Sequence, residues 1–290
     1  MSDRRTIFVA ALPLVVVFVT HEGANGSAKV EDVRLIPSLQ EVAAWRLKPG
    51  DVTVWWMEVD TVPKAVVAEW SGCLDATEQA KADGFIFDED RSTYIAAHWL
   101  IRNALASIGG LPPGKWRFIE EMNGKPAIDP ALGRPEICFN LSHTKGLVAC
   151  AVGVGATIGI DVEAVSLRRR SLDIARRFFN PSEVDILHGV APDRQPRAFA
   201  RLWTLKEALI KATGEGMRRS LKSFSFSLDP ARLRLHPDDE NEAATWQFFE
   251  YQPTSRHLLA LAARPPDDRP LNLSVRRVSS AFSETTCMLR

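Results

Sequence analysis

The sequence predicts an α+β protein made of two similar halves. A helix-like segment at 99–105 reads WLIRNAL and a second at 203–209 reads WTLKEAL, so tryptophan, a basic residue, alanine and leucine recur at one spacing. Each segment leads into alternating apolar residues, at 116–119 and 224–228, a pattern typical of strands. Chance similarity of two amphipathic helices is the alternative. The shared order of short helix, long helix and strand favours an internal duplication.

Polar and glycine residues mark the expected helix ends. A hydroxyl residue followed by an acid precedes each long helix, at 77–78 and 182–183, and predicts the start of a short helix. Ser182 with Asp185 three residues later is similar to a capping box. The long helices are expected to close on Gly109 and Gly214, because glycine tolerates the left-handed conformation common there.

We therefore expect two subdomains, 48–150 and 151–275, joined near an apolar strand at 148–154. Residues 1–45 form an N-terminal extension, disordered or leader-like, and residues 276–290 form a tail. Two like halves create a cleft at their boundary, and clefts between domains are favoured ligand sites.

Composition indicates a packed globular protein. The 290 residues can bury a substantial core, and 46% hydrophobic content with eight tryptophans argues against disorder. Basic and acidic residues both number 36, so no global positive field favours nucleic acid. The cysteines include no C-x-x-C pair, which is typical of reduced, cytosolic proteins without a zinc site. They are Cys73, Cys138, Cys150 and Cys287.

Two carboxylates lie on one face of a predicted strand. Side chains alternate along a strand, so Asp161 and Glu163 in the segment GIDVE point the same way, with Val162 behind them. They could be solvent-facing charges on an edge strand. The apolar run at 147–160 instead predicts a buried strand, where two like charges need a cation. Mg²⁺ prefers such oxygens, keeps several waters and bridges to substrate phosphates.

A third carboxylate lies on the second long helix. Residues four apart share a helix face, so Trp203, Glu207 and Lys211 form one stripe. Glu207 and Lys211 alone would suggest an ordinary salt bridge. Because the stripe also carries Trp203, and because Lys206 adjoins Glu207, we expect it to face a site. Three carboxylates and a lysine in this pattern fit Mg²⁺-assisted chemistry on a diphosphate.

Two further segments present groups suited to phosphate. Ser142 and His143 follow a strand-like stretch without a G-x-S-x-G elbow, so a hydrolase triad is poorly supported. At a strand end they suit phosphate or base contacts, although a lone histidine is more often structural. Lys125, in the tight turn at 124–126, could make a single phosphate contact. Gly159 and its neighbouring glycines lack G-x-G-x-x-G spacing and are interpreted as turn residues.

Together these motifs resemble the 4′-phosphopantetheinyl transferases, in particular the larger surfactin-synthetase-activating type with two fused halves. The resemblance covers 75–230 strongly and 48–275 in outline. Its anchors are GKP at 124–126, FNLSH at 139–143, GIDVE at 159–163, RFF at 177–179 and WTLKEA at 203–208 with Lys211. It implies two subdomains related by pseudo-two-fold symmetry, each with a small antiparallel sheet packed against helices.

The family implies that coenzyme A donates its 4′-phosphopantetheine arm to a serine of an acyl- or peptidyl-carrier protein and that 3′,5′-ADP leaves. Carried over by position, Asp161, Glu163 and Glu207 would hold Mg²⁺ against the pyrophosphate. Lys211 would stabilise charge on the attacked phosphate. Glu207 is the best candidate for the base that takes the serine proton, although the choice among the carboxylates stays open.

The resemblance also implies contacts with the nucleotide end of coenzyme A. Lys125 and His143 would meet the 3′-phosphoadenosine, and Ser142 would lie at the nucleotide. Lys81 falls where the family places a cofactor-binding basic residue. The chain departs from the family at Glu78, where a second lysine is often found, and Arg91 is the candidate replacement.

The implied partners are apo-carrier proteins, which are acidic around their modified serine, so a local basic surface would steer docking. Arg168, Arg169 and Arg170 with Arg176 and Arg177 form such a cluster, with a solvated charged surface as the alternative. Two fused halves make a monomer the natural expectation.

The N-terminus raises a second possibility for the compartment. Arg4 and Arg5 precede an apolar run at 7–20, which is interrupted by Pro13 and shorter than the roughly 20 apolar residues that cross a bilayer. Their order, with small residues at 26–28, also fits a signal peptide, so export or membrane association is the alternative. Dependence on an intracellular nucleotide cofactor favours the cytoplasm, without stable membrane association.

Two other functions are weighed. A Mg²⁺-dependent hydrolase of a nucleotide diphosphate, such as coenzyme A, would share the acidic constellation. A non-catalytic carrier-binding protein would retain the fold. Both are minor, because the metal residues and the helix lysine are all present.

Overall fold

The structure of the protein is a computed structural model that describes residues 15–21, 29–36, 48–121, 124–165, 171–267 and 271–279. The strands are β1 (Val15–His21), β2 (Lys29–Ile36), β3 (Asp51–Glu58), β4 (Phe118–Glu120), β5 (Pro126–Ile128), β6 (Ile137–Thr144), β7 (Leu147–Val154), β8 (Thr157–Ala164), β9 (Phe224–Ser227), β10 (Arg232–Leu235), β11 (Gln247–Thr254), β12 (His257–Arg264) and β13 (Asn272–Ser279). The α-helices are α1 (Lys64–Trp70), α2 (Ala76–Asp83), α3 (Asp88–Gly109), α4 (Ser171–Phe178), α5 (Pro181–Gly189), α6 (Gln195–Thr213) and α7 (Glu240–Ala244).

The two halves repeat one order of elements. In the first half, β3 is followed by the helices α1 to α3 and later by the pair β6 and β7. In the second, β8 is followed by the helices α4 to α6 and later, after the additional short helix α7, by the pair β11 and β12. The first strand pairs with the last in each half, which gives the antiparallel orders β3-β7-β6 and β8-β12-β11. A short hairpin, β4–β5 or β9–β10, precedes each pair. The predicted α+β fold with two similar halves is confirmed.

The two sheets pack face to face between the two long helices. Side chains alternate along β3, so Trp55 and Met57 pack with α3, whereas Val54 and Trp56 pack with the apolar side chains of β8 and β12. Ala260 on the opposite face of β12 packs with α6. The layers are therefore α3, first sheet, second sheet and α6. Burial on both faces explains why β3, β7, β8 and β12 are nearly continuous apolar runs.

The strand pairing crosses the predicted boundaries of the subdomains, the extension and the tail. β13 pairs in parallel with β3 and, on its other side, with β2, which pairs with β1. Parts of the predicted extension and of the predicted tail therefore belong to the first sheet. β7 also runs to Val154, across the boundary drawn at 150/151. Pairing between distant segments leaves no local signal, because the hydrogen-bond partners are far apart in the chain.

The short helices of the two halves begin alike, two residues before the predicted starts. Asp75 and Glu78 form a capping box on α2, and Asn180 and Glu183 form one on α5. The predicted cap at Ser182 is wrong. Pro181 occupies the first helical turn, where its fixed φ and missing N–H are tolerated, so the cap must precede it.

The long helices end in left-handed glycines. Gly214 closes α6 at φ +70°, as predicted, and Gly110 follows α3 at φ +71°, one residue beyond the predicted Gly109. Of the helices in the described ranges, none is both long and apolar enough to cross a bilayer.

Candidate active site

A cleft of about 1090 Å³ opens where the two halves meet. The first half contributes the β4–β5 turn and β6, and the second contributes β8, α4, α6 and the segment after α6. The charged lining residues are Lys125, Asp161, Glu163, Arg177, Glu207, Lys211, Arg219 and Lys222. One cleft therefore carries the three predicted carboxylates and the predicted helix lysine.

Asp161 is the most deeply buried charge in this cleft, with only 5% of its surface exposed. Its Oδ1 accepts hydrogen bonds from Lys211 Nζ at 2.6 Å and from Ser142 Oγ at 3.0 Å. Burial raises the pKa of Asp161, and the Lys211 ammonium opposes this rise. Oδ2 is buried and has no hydrogen-bond partner, so the carboxylate retains one unused acceptor.

Gly159 places α6 against β8. A Cβ atom here would overlap the carbonyl oxygen of Ala208 and the backbone of Ala212, so only glycine allows this approach. The predicted turn role of Gly159 is wrong, because the residue lies inside β8. The close approach brings Glu207 and Lys211, which flank Ala208 on α6, to the carboxylates of β8.

Glu163 and Glu207 complete the acidic lining. Thr144 Oγ1 donates a long hydrogen bond of 3.5 Å to Glu163 Oε2. Glu207 is half-buried; burial and the negative charge of Asp161 raise its pKa, while Lys211 lowers it. Asp161 affects the pKa of Glu207 because β8 and α6 bring these two carboxylates close together.

The donor set fits a hard divalent cation. Within the described ranges, no three His, Cys, Asp or Glu side chains are gathered as a ready metal cage. Mg²⁺ keeps several waters, however, and commonly binds through one or two carboxylates and substrate phosphates. The buried Oδ2 of Asp161 needs a partner, and Glu163 and Glu207 line the same cleft. The residues present therefore fit Mg²⁺.

Of the predicted nucleotide-binding residues in the β4–β5 turn and on β6, one lies in the cleft lining and two lie outside it. Lys125 lines the cleft; its Nζ donates to the Ile158 carbonyl at 3.3 Å, and burial lowers its pKa. Ser142 is buried and points to Asp161. His143 is exposed on the same strand. Neither Ser142 nor His143 is among the described residues that line the cleft.

Lys81 and Arg91 also lie outside the described cleft lining. Lys81 is exposed on α2, with its ammonium 5.6 Å from the centre of the Tyr94 ring. Arg91 donates to the carbonyls of Ala82 and Asp83 at 3.0 and 3.2 Å, which satisfies acceptors at the end of α2. The structure thus assigns Arg91 a contact that the sequence did not predict.

Sequence reasoning missed the segment that follows α6. Arg219 and Lys222 line the cleft, and Arg219 Nη1 pairs with Glu215 Oε2 at 2.7 Å. The basic residues between 218 and 222 were a visible signal. Asn140, which precedes Leu141 in the FNLSH motif, also lines the cleft.

The predicted basic cluster is described in part. Arg168, Arg169 and Arg170 lie outside the described residues. Arg176 and Arg177 are exposed on α4, and Arg177 reaches the cleft lining beside Phe178, an apolar side chain that is 44% exposed. A positive and partly apolar rim therefore borders the cleft.

Family models match consecutive stretches of the chain. Residues 64–154 match the N-terminal 4′-phosphopantetheinyl transferase model, and residues 157–262 match the 4′-phosphopantetheinyl transferase superfamily. The 4′-phosphopantetheinyl transferase HetI of Nostoc sp. is 31% identical over 228 residues, which span 75% of this chain and 92% of the relative. A 4′-phosphopantetheinyl transferase of Bacillus subtilis is 35% identical over 195 residues, which span 67% of this chain and 84% of the relative.

These matches cover both halves of the duplication and every anchor motif. The two matched stretches meet where β7 ends and β8 begins. The resemblance and the enzyme class predicted from the motifs are confirmed. The chain belongs to the 4′-phosphopantetheinyl transferase superfamily.

Proposed function

We propose that this chain transfers the 4′-phosphopantetheine arm of coenzyme A to a serine of an apo acyl- or peptidyl-carrier protein, within the cleft between its halves. The serine oxygen forms a bond to the β-phosphorus while the bond to 3′,5′-ADP breaks, and the serine proton passes to a base. The product is a holo carrier. The observation that carries the proposal is one cleft in which Asp161, Glu163, Glu207 and Lys211 meet.

The negative charge of the pyrophosphate would lie beside the charged side chains of this cleft. Asp161, Glu163 and Glu207 would hold Mg²⁺, which when bound neutralises pyrophosphate charge. Lys211 already contacts Asp161 with its ammonium, and the same flexible side chain can reach a phosphate oxygen that binds beside it. Its role is to stabilise charge on the attacked phosphate.

Glu207 is the proposed base. Within the part of the chain that the structure describes, Glu207 makes no side-chain hydrogen bond or ion pair. Asp161, in contrast, is hydrogen-bonded to Ser142 and Lys211. A carboxylate that is not already occupied can accept a proton from an incoming hydroxyl. Its position on α6 also keeps it at the wall of the cleft that the carrier must approach.

The adenosine end of coenzyme A is proposed to lie toward the first half. Lys125 would contact a phosphate from the β4–β5 turn, and His143, Lys81 and Arg91 would supply further positive or polar groups. Family membership supports this assignment by position.

The proposed partner is an acidic carrier domain, guided by Arg176 and Arg177 on α4. Balanced total charge gives no reason to expect nucleic-acid binding. We propose a cytoplasmic monomer without stable membrane association, since the substrate is an intracellular cofactor and the two halves are fused in one chain.

Mass spectrometry tests the function directly. A panel of apo-carriers is incubated with the protein, coenzyme A and Mg²⁺, and we expect a carrier to gain one phosphopantetheine on its serine. A Mg²⁺-dependent hydrolase would instead release 3′,5′-ADP from coenzyme A without any carrier. Family membership favours transfer, and hydrolysis without modification of any carrier would overturn the proposal.

A further inference from the structure

The outer edge of β8 is bonded by side chains from β6. One edge of β8 pairs with β12, so the amides that point the other way need different acceptors. Asn140 Oδ1 accepts from the amide of Ile160 at 2.8 Å, and Ser142 Oγ accepts from the amide of Val162 at 3.2 Å. The two acceptors are two residues apart on β6 and the two amides are two residues apart on β8. The two hydrogen bonds therefore follow one another along the same face of β6.

The same face of β6 also contacts the acidic residues of β8. Ser142 Oγ donates to Asp161 Oδ1 at 3.0 Å. Two residues on, Thr144 Oγ1 donates to Glu163 Oε2 at 3.5 Å. Asn140, Ser142 and Thr144, which we call the β6 ladder, therefore reach the backbone or the carboxylates of 160–163 in order.

The β6 ladder joins the two halves. β6 belongs to the first sheet and β8 to the second, so the two strands are linked here through these side chains. Asn140 and Ser142 are each 4% exposed. Buried hydrogen bonds of this kind hold one register, because a slip of one residue would leave the amides of Ile160 and Val162 without acceptors.

We propose that Asn140, Ser142 and Thr144 are positioning residues, which set the register of β8 against β6 and so orient Asp161 and Glu163 in the cleft. This inference rests on the proposed function, in which those carboxylates hold Mg²⁺. Ligating carboxylates are typically held by hydrogen bonds from residues behind them, and losing such a partner commonly costs 10- to 100-fold in metal affinity or activity.

The hydrogen-bonding capacity of Ser142 decides its role. A hydroxyl has one donor and two acceptor sites. Ser142 Oγ donates to Asp161 and accepts from Val162 N and from Lys211 Nζ, the latter at 2.9 Å. All three sites are used within the protein, so the hydroxyl acts through Asp161 and Lys211.

Amide hydrogen exchange, measured by NMR on the protein without coenzyme A or Mg²⁺, tests the ladder. Asn140→Ala should accelerate exchange at Ile160 by at least about tenfold relative to Leu261, which pairs with Ile160 in β12. Asn140→Asp retains the acceptor oxygen and should keep Ile160 protected. Equal protection in wild type and Asn140→Ala, with Leu261 as the internal reference for global opening, would overturn the proposal.

Kinetics separate positioning from nucleotide contact. For Ser142→Ala we expect the Mg²⁺ concentration at half-maximal rate to rise by about tenfold, with partial rescue in Ser142→Thr. The KM ratio of 3′-dephospho-coenzyme A to coenzyme A should stay within about twofold of wild type. If this KM ratio instead falls toward one while the Mg²⁺ dependence is unchanged, Ser142 contacts the nucleotide and the proposed positioning role is wrong. If the wild type modified no carrier, the proposed function would fail, and the exchange data would still decide the ladder.

Discussion

Glu183 and Lys206 form an ion pair of 2.7 Å in which neither side chain is exposed. Lys206 Nζ also donates to the carbonyls of Leu221 and Phe224, both at 2.8 Å. In the first half, Glu78 and Arg102 form the equivalent pair at 2.6 Å. Each acid belongs to the capping box of a short helix, and each base lies three residues after the repeated tryptophan. Each half of the duplication therefore contains a buried charge pair that joins its short helix to its long helix.

Removing one member of the second pair should be costly. Lys206→Met leaves the Glu183 carboxylate buried without its cation, and we expect the free energy of unfolding to fall by about 3–5 kcal/mol. Urea denaturation measures this. The double variant Glu183→Gln with Lys206→Met removes both charges and should recover part of the loss. A single variant within about 1 kcal/mol of wild type would contradict the importance of the pair.

Glu78 should make stability depend on pH in the acid range. Burial alone would raise its pKa, but hydrogen bonds from His98 and from the Asp75 backbone, with the nearby charges of His98 and Arg102, lower the pKa to about 2. The ordinary value is 4.5. Its contribution, on the order of 3 kcal/mol, is thus complete above about pH 4.5 and is lost as the pH falls toward 2.

The variant Glu78→Gln should therefore be less stable than wild type near neutral pH, and the difference should shrink as the pH falls from 4.5 toward 2. Urea unfolding at a series of pH values in which both proteins are folded provides the comparison. Glu69→Gln, an exposed position on α1, serves as control and should show no such trend. A stability difference that is constant with pH would contradict the assignment.

Gly159→Ala should disturb both stability and catalysis. The added methyl would overlap backbone atoms of α6, which cannot move as a flexible side chain can, so we expect a loss of about 1–3 kcal/mol in unfolding free energy. The rate should fall as well, because α6 carries Glu207 and Lys211. Gly189→Ala, where the new methyl would meet no atom within 4 Å apart from its chain neighbours and the backbone of its own helix, is the matched control. Similar melting curves for both variants would argue against the close packing of α6 on β8.

Glu207→Gln should abolish most transfer while the fold is retained. The amide has nearly the same shape but neither accepts the serine proton nor carries a ligand charge, so the rate should fall by roughly 10²–10⁴-fold. Asp161→Ala should likewise remove modification, and chelation of Mg²⁺ should reversibly abolish the activity of the wild type. Carrier mass spectrometry measures each case. A fully active Glu207→Gln protein would support a non-catalytic carrier-binding role and contradict the proposed base.

Arg176→Glu with Arg177→Glu should weaken use of an acidic carrier. Reversing two exposed charges on α4 should raise the KM for the carrier by about tenfold and flatten the dependence of this KM on salt. Arg256→Glu, on the β11–β12 turn and outside the described cleft lining, is the control. Equal carrier KM values in the two variants would place the docking surface elsewhere.

Much of the site could be predicted because it depends on local periodicity. Alternation along β8 predicts that Asp161 and Glu163 share a face, and helical spacing predicts that Trp203, Glu207 and Lys211 share another; all five line the cleft. The cap of α5 differs from the predicted one because Pro181 occupies the first helical turn, so Asn180 and not Ser182 precedes the helix. The sequence shows Lys206 only as a neighbour of Glu207, since a buried lysine and an exposed one look the same in a sequence.

The amino-acid sequence alone determined the duplication, the spacing of the acidic residues and the family, because these follow from which residues recur at which intervals. Only the tertiary structure decided that Lys211 and Ser142 share one oxygen of Asp161, that β13 returns to the first sheet, and that side chains of β6 bond the edge of β8. The physical reason is that hydrogen bonds and ion pairs depend on distances of a few ångströms between segments far apart in the chain. Local periodicity orients a side chain on its own strand or helix, whereas packing of whole elements selects its partner.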